Sequence, residues 1–136
     1  MAFTQSNEQE KIRQLEIQRQ ADKQREIDLQ IDSVEQLIDT EQYEAAEIKI
    51  IYLLKSVRSV PSDLTFYLGK NSFYLGKYKQ STDWLNKYIQ LKGTSGKFSE
   101  EAISIKSKAE AELLKQRQLE STQASQVFSK DFNMDC

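Results

Sequence analysis

Few residues of this chain are of a type that does chemistry on its own. Histidine is absent, which removes the commonest general base and the commonest metal ligand together. The single cysteine is Cys136, so no internal disulfide is possible and Cys–His catalysis is excluded. Carboxylate neighbours such as Glu8 and Glu10, or Glu100 and Glu101, fall in polar helix starts where nothing raises a pKa. Their expected work is solubility and a favourable interaction with the helix dipole. Gly69-Lys70 and Gly76-Lys77 invite comparison with a phosphate-binding loop. That loop needs four residues between its glycines and a Ser or Thr after the Lys; here the gap is wider, Tyr78 follows, and no strand precedes. The densest cluster is aromatic: Phe66, Tyr67, Phe73, Tyr74, Tyr78, Trp84 and Tyr88, interleaved with Lys70, Lys77, Lys79 and Lys87. Such a set can stack on single-stranded nucleic acid. At helical spacing, and in a chain with a pI near 5.3, it is instead expected to be core. The chemistry therefore points away from an enzyme, a metal site, a cofactor and nucleic acid.

The elements that must position these residues are helices. The 136 residues fit one compact domain; 38% are hydrophobic, and mean hydropathy is −0.67. One proline and four glycines favour long helices over many-turned sheets. Apolar residues concentrate between Ile27 and Leu91, and both ends are polar. From about 6 to 39 there is neither Gly nor Pro, and Ile27, Ile31, Val34, Leu37 and Ile38 form one stripe at spacings of three and four. A second helix is expected over 43–57, its inward face carrying Ala46, Ile50, Leu53 and Leu54 and broadened by Ile51 and Tyr52. Pro61 stops it, and Ser62 or Asp63 is placed to cap a third helix over 63–75 that ends at Gly76. A fourth covers 78–91. The loop 93–96 follows, and Ser99 then caps a fifth reaching 118–120, with Ala102, Ile103, Ile105, Ala109, Leu113 and Leu114 as its apolar set. Residues 1–26 read as a projecting polar helix, 27–120 as the helical domain and 121–136 as a mobile tail.

Internal self-similarity sharpens this picture. Residues 62–95, SDLTFYLGKNSFYLGKYKQSTDWLNKYIQLKGTS, place Leu68-Gly69 in one helix, Gly76 and Tyr78 at the turn, and Ser81, Leu85 and Tyr88 in the next. This resembles the tetratricopeptide repeat. Ser81 and Tyr88 stand where that family commonly has alanine. The preceding stretch, about 27–60, repeats the logic more faintly: Tyr43 matches Tyr78, Ala46 lies close to Ser81, and Ser33-Val34 replaces Leu-Gly. The two tyrosines are 35 residues apart against a usual 34. The resemblance implies an all-α, short array of helical hairpins with a long N-terminal helix and a C-terminal cap helix. A non-repeat helical bundle is the alternative, and it is equally all-α.

The family's inner, concave face holds extended peptides, which implies partner contacts at Tyr67, Lys70, Asn71 and Tyr74. Tyr67 stands where one branch of the family keeps an Asn for gripping a C-terminal carboxylate, so that mode is not expected. The expected function is a non-catalytic interaction module, an adaptor or scaffold within a larger assembly, holding protein partners as extended peptide or helix. The alternative is a structural subunit with no separate groove. Homo- or hetero-oligomers are both compatible. Val127, Phe128, Phe132 and Met134 in the polar tail form a candidate docking segment. No stretch approaches the ~20 apolar residues of a membrane span. Met1-Ala2-Phe3 lacks the basic start and apolar run of a signal peptide; cytoplasmic location is the default, and an exported one requires a removed leader.

Overall fold

The computed structural model describes the backbone of residues 2–134 and the side chains of residues 7–123. It is all-helical: α1 (Ala2–Asp39), α2 (Tyr43–Ser56), α3 (Ser62–Tyr74), α4 (Tyr78–Lys92) and α5 (Ser99–Met134). Short connections fold successive helices back on one another. Tyr43 at the start of α2 stacks on Tyr74 at the end of α3, and Ser81 near the start of α4 donates to the Gly69 carbonyl at 2.7 Å. The odd-numbered helices therefore run in one direction and the even-numbered ones in the other.

The five helices form two layers of unequal closeness. α3 meets all four other helices, and α1 and α5 each lie against it. Among the described residues no Cα of α2 comes within 8 Å of one in α4. The odd helices thus form an inner layer centred on α3, and the even helices pack outside it without meeting each other. Lys77, just before α4, spans the outer gap with a 2.7 Å ion pair to Glu47 of α2.

The core follows the expected apolar stripes. Ile31, Val34 and Ile38 of α1, Ala46, Ile50 and Leu53 of α2, Leu64, Phe66 and Leu68 of α3, Leu85 and Tyr88 of α4, and Ala102 and Ile105 of α5 form one buried cluster. Two residues expected to broaden the inward face of α2 do not: Ile51 and Tyr52 point outward. With 3.6 residues per turn, α2 has only one side to give, and Ala46, Ile50 and Leu53 already fill it. Ile103 and Leu114 of α5 are likewise exposed.

The two hairpin turns are the same motif. In the second, Gly76 adopts φ 77°, its N–H bonds to the Phe73 carbonyl at 3.0 Å, and Lys77 N–H bonds to Ser72 at 2.9 Å. In the first, Glu41 adopts φ 62°, with Glu41 N–H to Ile38 at 3.0 Å and Gln42 N–H to Leu37 at 2.8 Å. These are paired Schellman closures, 35 residues apart, one made by glycine and one by glutamate. The hairpins differ in how closely their helices approach, α3 and α4 lying nearer along their length than α1 and α2. A Cβ on Gly69 would lie 2.7 Å from Leu85 Cγ and Cδ2, whereas the corresponding place in α1 holds Val34, and Ile50 replaces Leu85.

Both expected caps resolve differently. Neither Ser62 nor Asp63 precedes α3; both lie inside it, and Pro61 is the boundary residue with no side-chain cap. Ser99 does not cap α5. Its buried hydroxyl accepts from Gly96 N–H at 2.9 Å and donates to the Gly93 carbonyl at 2.8 Å, tying the loop shut. α5 itself runs past 118–120 to Met134.

Candidate inner-face site

The four positions expected to contact a partner lie on α3, the middle helix of the inner layer, but not all are open. Asn71 is fully buried: its Nδ2 donates to the Tyr43 carbonyl at 2.9 Å, and its Oδ1 has no partner among the described residues. This amide holds α3 to the start of α2. Tyr67 is 5% exposed, its ring edge-on to Phe98 at 5.3 Å and beside Phe66 at 5.5 Å. Both residues act mainly as packing between helices, because the inner layer closes over them from α1, α2 and the start of α5. Tyr74 keeps 48% of its surface in solvent and stacks on Tyr43 at 4.7 Å. Lys70 is half-buried, and its Nζ makes a 2.8 Å ion pair with Glu101 of α5.

The electrostatics of this face come from carboxylates on all three inner helices. Burial pushes the Tyr67 hydroxyl well above its ordinary pKa, reinforced by Glu35, Asp63 and Asp32 around it. Burial alone would lower the Lys70 pKa, but the hydrogen bond and charge of Glu101, with Tyr74 and Asp39 nearby, raise it. The Lys70 ammonium thus lies by Glu101 and Asp39, while Glu35, Asp63 and Asp32 surround the Tyr67 hydroxyl. Asp32, Glu35, Asp39 and Glu101 are exposed.

These carboxylates and Phe98 complete the face. Asp28, Asp32, Glu35 and Asp39 follow the helical spacing of Asp63, Tyr67, Lys70 and Tyr74, 35 residues earlier. That acidic row is readable once the two rows are aligned as repeats. Phe98, stacked on Phe66 at 4.4 Å with rings 3° from parallel, precedes α5 in what reads as loop, and only the fold brings it inward.

Outside this face, a groove of roughly 390 Å³ opens between α1 and α2, lined by Lys23, Glu26, Ile27, Gln30, Tyr52, Leu53 and Ser56. No group of three acidic or thiol side chains among the described residues is arranged to hold a metal. The side chains of Val127, Phe128, Phe132 and Met134 lie outside the described residues. None of the helices, within the same limits, is long and apolar enough to cross a membrane. No family model, curated protein or solved structure matches the chain.

Proposed function

We propose that the chain is a non-catalytic protein–protein interaction module of the tetratricopeptide-repeat kind, whose inner face takes a peptide or helix carrying positive side chains. One observation carries the reading: α1 and α3 set two repeat-equivalent rows side by side, one acidic and exposed, the other offering Tyr74 as an open aromatic surface. Tyrosine supplies contact area at low entropic cost, and a carboxylate-lined face steers a cationic partner toward it. The rows sit on helices already locked by the core, so binding orders little of the module. Resemblance in the Leu68-Gly69, Gly76 and Tyr78 pattern, and the doubled Schellman turn, support the repeat assignment.

The test is affinity capture by the full chain and by two folded variants. Tyr67 and Asn71 are poor choices, since replacing buried residues risks unfolding. Tyr74→Ala, and Asp32→Asn combined with Glu35→Gln and Asp39→Asn, change exposed side chains only. Loss of the same captured partner in both variants is expected. Undiminished capture by both moves the interface elsewhere.

A second reading, a structural subunit of a larger complex, is favoured by the N-terminal part of α1. Residues 7–26 are exposed throughout, a length of helix that no core among the described residues holds. Capture through this segment alone, after the inner face is neutralised, distinguishes it.

A further inference from the structure

The outer helices α2 and α4 hold equivalent places in their hairpins, yet their solvent faces differ in kind. On α4 the outward residues are Lys79, Asp83, Asn86, Lys87 and Gln90, all exposed and polar. The equivalent residues on α2 are Glu44, Ile48, Ile51, Tyr52 and Lys55. Ile48 is 72% exposed, Ile51 45% and Tyr52 70%. Helical geometry sets these five within an arc of roughly 100°, directly opposite the packed Ala46, Ile50 and Leu53. The fold itself does not ask for apolar residues there, because α4 does without them.

We propose that this stripe pairs with the same stripe of a second copy of the chain, α2 against α2 in antiparallel fashion about a two-fold axis. The ends of the stripe choose the occupant. Glu44 lies at its N-terminal end and Lys55 at its C-terminal end, and neither is ion-paired among the described residues. On α4, by contrast, Lys79 and Asp83 satisfy each other at 3.0 Å. Antiparallel pairing sets Glu44 of each copy beside Lys55 of the other and Ile48 beside Ile51. Both pairings share one centre, between Lys49 and Ile50, so a single register satisfies charge and apolar contact together. Parallel pairing would instead oppose like charges. The interface is isologous, as a closed dimer requires. It also lies on the outer layer and leaves the inner face of each copy open.

Sedimentation equilibrium of the full chain over a wide concentration range tests this. The expected mass is twice 15.8 kDa. Ile48→Asp with Ile51→Asn, the residues α4 uses, should give a monomer with unchanged helical circular dichroism. Glu44→Lys should weaken the dimer roughly tenfold, since two pairs become repulsive, and adding Lys55→Glu should restore it. A chain that stays monomeric at every concentration overturns the proposal. So does a dimer indifferent to Ile48→Asp with Ile51→Asn, or charge reversals that neither weaken nor rescue.

Discussion

The hydroxyl of Tyr67 lies where α1 and α3 run side by side, and its protonation is tied to the fold. Burial and the Glu35 carboxylate hold it neutral in the folded state above the pH at which an unfolded tyrosine ionises. Lys70, kept charged by Glu101, shifts in the same direction. In both cases the folded state retains a proton that the unfolded state releases near pH 10, so stability falls as pH rises from about there. Urea unfolding between neutral and strongly alkaline pH should show that fall, and Tyr67→Phe should make it shallower. An equally steep loss in the variant would remove Tyr67 as a contributor. Gly69 makes a steric claim at the same scale. A methyl there would press on Leu85, itself fully buried and unable to swing away. Gly69→Ala should destabilise by about 1–3 kcal/mol, read as a drop in the denaturation midpoint.

The two hairpin turns are the elements in which the internal repeat is most plainly structural. Each closes with the same two backbone hydrogen bonds and a left-handed residue, but only the second uses glycine. An L side chain in that conformation costs roughly 1–2 kcal/mol, part of which glycine returns through its more flexible unfolded state. Glu41→Gly is therefore expected to raise stability by about 0.5–1 kcal/mol, and Gly76→Ala to lower it by about 1 kcal/mol. Calorimetry of the pair decides this: Glu41→Gly lowering the midpoint would show that its side chain supports the turn. The α4–α5 connection depends on side chains instead. Tyr88, fully buried, accepts from Phe98 N–H at 2.8 Å, and Ser99 binds the loop at Gly93 and Gly96.

Across the whole molecule, packing is concentrated at the middle of the chain. α1 spans about 57 Å at ~1.5 Å per residue, while α2 covers about 21 Å. The partner helices thus reach only the C-terminal part of α1. Because α1 packs by its C-terminal part and α5 by its N-terminal part, their free lengths leave the packed layers at opposite ends. Removing residues 1–20 should lower helical signal but leave the thermal midpoint within a few degrees, since residues 7–20 are exposed helix that contributes little to the cooperative unit. A large drop in the midpoint would mean that this length packs on the core.

Periodicity alone determined the helices and most of the core. Ile31, Val34 and Ile38 on one stripe, and Ala46, Ile50 and Leu53 on the next, have no other way to leave water together. The Gly76 turn was equally legible, because glycine at a helix end has a local backbone cause. The site was legible only in part. Sequence spacing puts Tyr67, Lys70, Asn71 and Tyr74 on one side of α3, but which neighbours close over them is a matter of tertiary packing. Contact with α1, α2 and the start of α5 buried Tyr67 and Asn71 and left Tyr74 open. The same packing brought Phe98 inward and turned Ile51 and Tyr52 out. A helix pattern records which residues share a side; only the arrangement of the other helices decides whether that side meets protein or water.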